Sequence, residues 1–357
     1  MYSWITAYEE RDWQTSTDGT VRYALLGLGW WTVDVVLPAI ENSDLGEVTV
    51  LVSSSTEKAV DVAVENDVDR GISYDEFHDG AAADAYDAVY VGTPNALHLE
   101  YVETAANLDK PAICEKPMES TYERAERMVE ACEAADVPLM IAYRMHTNPA
   151  IRRARELIED GFLGEPVSVY GHNSQPLLEM IPDPDQWRLN SDLSGYGTSV
   201  MDLGIYSINT ARFLLRKEPV AVANEMCSLH EAFGDVPDER SSSLLAFEDG
   251  VTMVTTASQN AHSDSQLKIS GTEGQIEIYP AFHGEATLRL RRDDLTVTVE
   301  HETFDAQREM REELDYFADR LLSGASVYPD GRHGLQDMRI VRAIHEAGES
   351  GERVTLE

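Results

Sequence analysis

Four polar residues, Ser199, Asp202, Tyr206 and Asn209, recur at helical spacing through the largely apolar segment Val200–Leu215, so that on a helix they form one stripe. Half-buried polar groups must find partners. The stripe is therefore either a set of satisfied groups beneath a loop or a proton-transfer pair. In the second reading Tyr206 is the base. A tyrosine near its ordinary pKa of about 10 is a poor base at neutral pH, and a neighbouring ammonium group lowers that value. Lys116 can supply the ammonium. It follows the apolar run Pro111-Ala112-Ile113-Cys114 in the tripeptide Glu115-Lys116-Pro117, where the proline holds it in a defined turn. Asp202, one helical turn before Tyr206, can orient a substrate hydroxyl or the lysine. A solvated surface lysine is the plain alternative, but lysine is scarce: Lys58, Lys110, Lys116, Lys217 and Lys268 are the whole set.

A hydrophobic strand, Val21–Leu26, runs into Gly27-Leu28-Gly29-Trp30-Trp31-Thr32. A strand, a glycine turn and a helix start make the layout of a dinucleotide pyrophosphate site. Gly27 permits the tight turn, Gly29 lets backbone approach phosphate, and the helix start offers unpaired N–H groups. Leu28, Trp30 and Trp31 complete the cradle. The third glycine of the fingerprint is absent, and Thr32 stands in its place. NAD sites usually carry an acid at the end of the second strand. Here that end reads Ser53-Ser54-Ser55-Thr56-Glu57-Lys58, and hydroxyls with one cation suit a 2′-phosphate. Glu57 argues for NAD unless it merely occupies the first turn of a helix, and the hydroxyls also serve as helix caps. The cofactor expected is NADP, with NAD second.

These residues need a sheet to position them. Strands are expected at Val21–Leu26, Val48–Ser53, Ala88–Gly92, Pro111–Cys114 and Leu139–Tyr143. They alternate with helices at Thr32–Glu41, Glu57–Glu65, Leu97–Asn107 and Tyr122–Ala135. Such alternation predicts βαβ units and a parallel sheet. Beyond Arg144–Pro149 the pattern changes. A helix at Ala150–Ile158 precedes strands at Val167–His172, Ser243–Phe247, Val251–Ala257, Leu267–Ser270, Gln275–Tyr279, Thr287–Leu290 and Thr296–Glu300. Asp249-Gly250 marks a hairpin. These strands predict an antiparallel sheet, with the helix Val200–Leu215 packed on it and helices at Glu309–Leu322 and Leu335–Ala347 closing the chain. The fold class is α/β: a Rossmann domain (21–145) after an N-terminal extension (1–20), then a substrate-binding and oligomerisation domain (146–357) on an open, mostly antiparallel sheet. The last helices are candidates to pack back on the first domain.

The chain carries 65 Asp+Glu against 28 Lys+Arg, a formal charge of −37, with the acids dispersed along its length. Such a surface repels nucleic acid and anionic membrane. The dispersal and the lysine depletion point to a salt-saturated cytoplasm, where screening suppresses self-repulsion. No signal-peptide pattern opens the chain and no apolar stretch is long enough to span a membrane. Cys114, Cys132 and Cys227 are isolated, as in a reducing compartment. The ten histidines are dispersed without ligand spacing, so no metal site is expected. Trp4, Tyr8 and Trp13 give the N-terminal segment an aromatic character suited to an arm on a neighbouring subunit.

Seven stretches together resemble the glucose–fructose oxidoreductase / inositol dehydrogenase family of NAD(P)-dependent sugar oxidoreductases. They are Gly27-Leu28-Gly29, Gly92-Thr93-Pro94-Asn95 with His98, Glu115-Lys116-Pro117, Tyr143-Arg144-Met145-His146, Gln186-Trp187-Arg188-Leu189, Met201-Asp202-Leu203-Gly204-Ile205-Tyr206 and Gly334-Leu335-Gln336-Asp337. They run in family order over nearly the whole chain, nearest to the branch that holds glucose–fructose oxidoreductase and the D-xylose 1-dehydrogenases of halophilic archaea. Many relatives have histidine where this chain has Tyr206. The resemblance implies homo-oligomers, dimers or tetramers, formed through the C-terminal sheet. It also implies a cofactor site that includes Thr93, Asn95, His98, Glu115, Lys116, Arg144, Trp187 and Arg188. For His98 a structural part at a helix start is an equal expectation, as is a surface anchor for Trp187. The activity implied is an NADP-dependent aldose 1-dehydrogenase. Tyr206 takes the proton of the anomeric hydroxyl as hydride leaves C1 for the nicotinamide, giving an aldonolactone. D-xylose is the favoured small-molecule sugar, by resemblance alone, with D-glucose next. A polyol or dihydrodiol dehydrogenase, and a non-catalytic NAD(P)-sensing regulator, share the fold.

Overall fold

The computed structural model describes residues 11–15, 18–300 and 305–356; Trp4 and Tyr8 lie outside the described residues. Two compact units divide the chain. Trp13–Arg144 and Ala306–Gln336 form the first, and the second is built on Met145–Asp305 and Asp337–Glu357.

In the first unit six strands, β1 (Val21–Leu26), β2 (Gly46–Ser53), β3 (Arg70–Ser73), β4 (Ala88–Val91), β5 (Ala112–Glu115) and β6 (Leu139–Ala142), lie in the order β3-β2-β1-β4-β5-β6. Every neighbouring pair is parallel. The order reverses at β1, and the carboxyl edge beside such a switch point is where open sheets bind ligands. Strands of such a sheet are covered by helices, so β4 is buried at every residue. The buried Tyr23 donates its hydroxyl to the Leu314 carbonyl at 3.0 Å. This ties β1 to the helix Ala306–Ser323, whose Met310, Leu314 and Phe317 share the same core. Trp13 is buried in this unit, edge-on to Tyr316 at 5.5 Å. It is thus a core residue of its own chain, where the sequence suggested an arm for a neighbour.

The second unit holds nine strands: β7 (Pro166–Pro176), β8 (Pro219–Cys227), β9 (Arg240–Phe247), β10 (Thr252–Ser258), β11 (Asn260–Gly271), β12 (Gly274–Tyr279), β13 (Thr287–Arg292), β14 (Leu295–Glu300) and β15 (Val354–Thr355). Their order is β14-β13-β12-β11-β7-β10-β9-β8-β15. Alternation along β9 and β10 gives one buried face and one exposed face. All of Ile205–Leu215 is buried. A Cβ on Gly171 of β7 would lie 2.7 Å from the Ser207 Cβ, so glycine lets this helix lie directly on the strand.

Three features differ from the sequence expectations. The pair β7/β10 is parallel, because the β9–β10 hairpin docks on β7 through its second arm. Both site-bearing helices begin with a π turn, Thr32–Val36 and Val200–Gly204, before continuing as α-helix. The strands β3, β8 and β15 were not foreseen. Arg70-Gly71-Ile72-Ser73 has one apolar residue, β8 opens on a proline, and β15 has two residues.

Candidate active site

The glycine turn after β1 is shaped by the end of β4. Gly27 has φ +90°, and a Cβ there would come within 2.7 Å of the Gly92 carbonyl oxygen. Nothing lies within 4 Å of a Cβ on Gly29, so the backbone in front of the helix is open to an approaching group. The missing third glycine has a local explanation. A Cβ on Gly92 would lie 2.9 Å from the Thr32 hydroxyl, so the close helix–strand approach is provided by Gly92 and leaves room for Thr32. The hydroxyls of Thr32 and Thr93 are buried at this edge without a hydrogen-bond partner among the described residues. An open cradle and two orphaned hydroxyls fit a dinucleotide.

The end of β2 carries no acid in Ser53-Ser54-Ser55. Ser53 is buried and Ser54 exposed. Ser55 caps the helix Thr56–Glu65 by accepting from the Lys58 backbone N–H at 3.3 Å. The Lys58 ammonium donates to the Leu28 carbonyl at 3.1 Å, which brings the cation to the glycine turn. Hydroxyls and a cation at one edge are the donor set for a 2′-phosphate.

At the end of β5 the Lys116–Pro117 bond is cis. Several residues expected at the cofactor site also have partners within this unit. One Glu115 oxygen accepts the Trp31 indole N–H at 3.0 Å and the Tyr90 hydroxyl at 2.8 Å, and the other accepts the Lys116 backbone N–H at 3.2 Å. Arg144 is buried, paired with Glu309 at 3.0 Å and set over the Trp31 ring at 5.4 Å. Burial, reinforced by the Glu115 charge and only partly offset by Arg144, pushes the Glu313 carboxyl well above the usual carboxylate range. His98 is buried, with its ring nitrogens 2.8 Å from the Thr93 carbonyl and 3.1 Å from the Met118 carbonyl. It is thus a brace between the loops after β4 and β5. Asn95 is buried in the short turn Asn95–Leu97 just before it. Trp30 stays 53% exposed at the open turn.

In the second unit Asp202 is clamped. One of its oxygens accepts from the Arg188 Nε at 3.1 Å and from the Gln259 Nε2 at 2.9 Å. Arg188 lies over the neighbouring Trp187 ring at 4.5 Å. Tyr206 is 8% exposed, with its ring 5.7 Å from Phe282 and 5.4 Å from the exposed His283. The polar stripe does not act as a whole. Ser199 donates to the Glu239 carbonyl at 2.7 Å, and Asn209 donates to Asp337 at 2.7 Å and meets His146 at 2.7 Å. His146 is stacked on Phe213 with ring centroids 4.0 Å apart. Thus Asp202 and Arg188 come together with Tyr206 one turn away, Asn209 joins a separate buried network, and Lys116 belongs to the first unit.

Residues 21–143 match the model of the oxidoreductase family with an NAD-binding Rossmann fold, and residues 151–277 match the GFO/IDH/MocA C-terminal domain. The chain belongs to the GFO/IDH/MocA oxidoreductase family. It is 53% identical over 355 residues to the D-xylose 1-dehydrogenase [NADP(+)] of Haloarcula marismortui, covering 98% of both chains. It is 30% identical to D-xylose 1-dehydrogenase (NADP(+)) 2 of Haloferax volcanii, over 94% of this chain and 99% of that one. Among solved structures, the aldose-aldose oxidoreductase of Caulobacter crescentus complexed with glycerol superposes with a TM-score of 0.86 at 32% identity, over 94% of this chain and 100% of that one.

Two parts of this GFO/IDH/MocA member's site escaped sequence reading. Gly92 carries the close approach that the fingerprint assigns to its third glycine. Gln259 donates to Asp202, accepts from Gln175 at 2.7 Å, and gives its backbone N–H to the Ser199 hydroxyl at 3.0 Å. Glutamine carries no motif signal. Its one sequence clue is a polar residue directly after the run Val251–Ala257-Ser258.

Proposed function

We propose that the chain is an NADP-dependent aldose 1-dehydrogenase that oxidises a sugar at C1 to the aldonolactone, with D-xylose the favoured substrate and D-glucose next. The observation that carries the reading is the 53% identity, over 98% of both chains, to an NADP-dependent D-xylose 1-dehydrogenase. The acid-free end of β2, with Lys58 drawn to the Leu28 carbonyl, supports NADP over NAD. Tyr206 takes the proton of the C1 hydroxyl. Lys116 stabilises the negative charge that develops on the tyrosine and on the substrate oxygen. Asp202, held by Arg188 and Gln259, orients the sugar. NADP, when bound, supplies the hydride acceptor.

The acid excess suits a protein working in concentrated salt, and the free Cys114, Cys132 and Cys227 suit a reducing cytoplasm. A homo-oligomer through the second sheet is supported by an outward row in register across β9, β10 and β7: Leu244, Val254 and Tyr170, 49%, 45% and 41% exposed. Sedimentation in molar salt should read a dimer or tetramer; a monomer at micromolar concentration refutes it. The function is tested by screening aldoses with NADP and with NAD in molar salt, following reduced-cofactor absorbance. D-xylose with NADP should give the highest kcat/KM. No turnover with any aldose would reject the activity and favour the sensing regulator.

A further inference from the structure

We infer that Asp238 and His345 are positioning residues that fix the start of the helix carrying Asp202 and Tyr206. The inference rests on the aldose-dehydrogenase reading, in which those two groups meet the sugar.

The first N–H groups of a helix lack partners within it. Here a distant carboxylate supplies one. Asp238 is wholly buried; one oxygen accepts the Thr198 N–H at 2.5 Å and the other the Val200 N–H at 2.8 Å. Between them the Ser199 hydroxyl donates to the Glu239 carbonyl and accepts the Gln259 N–H. Three successive residues are thus pinned from the segment 238–239 and from Gln259. The first intrahelical bond, from the Asp202 N–H to the Thr198 carbonyl at 3.0 Å, begins inside the pinned segment. A shift of Thr198 is therefore passed to Asp202 and, one turn on, to Tyr206.

A buried carboxylate needs a counter-charge. His345, buried on the helix Gly331–Ser350, is placed to supply it when protonated: its Nε2 lies 3.4 Å from an Asp238 oxygen and its Nδ1 lies 2.9 Å from the Val341 carbonyl. Two acceptors facing the two ring nitrogens match the donors of an imidazolium. Burial opposes that charge, but Asp238 and the Val341 carbonyl outweigh it and hold the His345 pKa above its ordinary value. Gly197 is an independent sign that the pair is built in. A Cβ there would lie 2.3 Å from an Asp238 oxygen and 2.6 Å from the His345 Nε2. The Tyr196 ring covers the imidazole at 5.8 Å.

The test compares His345→Leu, His345→Gln and Gly197→Ala with wild type, using D-xylose and NADP in molar salt and recording the melting temperature of each. His345→Leu and Gly197→Ala should lower kcat about ten- to a hundredfold, the worth of a misplacement of about 1 Å, with KM for NADP within about twofold. His345→Gln keeps an N–H at the reach of Nε2 without the charge and should recover part of the kcat lost in His345→Leu. If His345→Leu does not fold, Gly197→Ala and His345→Gln carry the comparison. Glutamine failing to recover kcat, kcat within about twofold of wild type in Gly197→Ala, or equal losses in kcat and NADP affinity would each overturn the positioning role. Tyr206→Phe run alongside separates the two readings: near-wild-type turnover there removes Tyr206 as the base, no turnover by wild type with any aldose removes the parent reading, and loss in Tyr206→Phe with an unaffected Gly197→Ala removes this inference alone.

Discussion

Tyr206 lies against Phe282 and His283 with 8% of its surface exposed, and Asp202 one turn before it is held by two donors. Groups so constrained can present a defined face to a substrate, which is what makes proton transfer efficient. Tyr206→Phe should therefore lower kcat by about 10² to 10⁴ with little change in NADP affinity. Lys116→Met should cost a comparable factor, and the double variant should fall well short of the product of the two, since both act on one proton. Near-wild-type turnover by Tyr206→Phe would pass the base to another residue. Lys58 belongs to the same scale. Its ammonium is already directed to the Leu28 carbonyl, so Lys58→Ala should raise KM for NADP about tenfold or more while sparing NAD. Equal losses with both cofactors would assign Lys58 to folding alone. That Asp202 and Tyr206 lie one turn apart on one helix was legible, because the polar spacing shows in the sequence. Gln259, 57 residues from Asp202, was not, because its meaning arises only when the bend between β10 and β11 meets the helix.

At the scale of elements, legibility followed local punctuation. The helix Tyr122–Ala135 matches its sequence boundaries because Thr121 caps its start and Asp136, in the left-handed region, ends it. The two π turns left no trace in the apolar periodicity, since one inserted residue shifts the stripe without breaking it. The parallel β7/β10 pair joins strands separated by the whole helix Val200–Leu215 and could not be read locally. One joint makes an element-scale prediction. Burial pushes the Glu239 carboxyl up, but the His230 N–H, the Arg240 guanidinium, the Leu229 N–H and the Asn260 amide outweigh it and hold the pKa at about 2. A carboxylate depressed in the folded state stabilises above its unfolded value near 4.5 and loses that contribution as pH falls toward 2. Glu239→Gln should thus lower the melting temperature most at neutral pH, with the gap from wild type closing between pH 4.5 and 2. A gap that stays constant across that range would refute the linkage.

For the whole molecule, the balance of charge decides where it can exist. A formal −37 on 357 residues is self-repelling in dilute buffer. At about 1 M salt the screening length falls to about 3 Å, and only near neighbours interact. The melting temperature should therefore rise steeply between dilute buffer and about molar salt, with activity lost on dialysis; an unchanged melting temperature and full activity in low salt would refute the adaptation. The change from a parallel to a mostly antiparallel sheet was legible at this scale, because the change from alternating strands and helices to successive strands is visible along the chain. The assignment of Ala306–Ser323 to the first unit was not fixed by pattern, since it depends on a core met through Tyr23 and Leu314.

The few ammonium groups have a practical consequence for attaching this protein to anything. Of the five lysines, Lys58 is tied to the Leu28 carbonyl, Lys110 to the Tyr86 carbonyl at 2.9 Å and Lys217 to Asp249 at 2.8 Å. Amine-directed coupling to a resin, a dye or a cross-linker therefore has few targets, with Lys268 on β11 the fifth. Two of those five, Lys58 beside the glycine turn and Lys116, belong to the proposed site, so extensive amine labelling should inactivate the enzyme. Bound dinucleotide is then the natural protecting agent, and carboxylate- or Cys227-directed chemistry the safer handle.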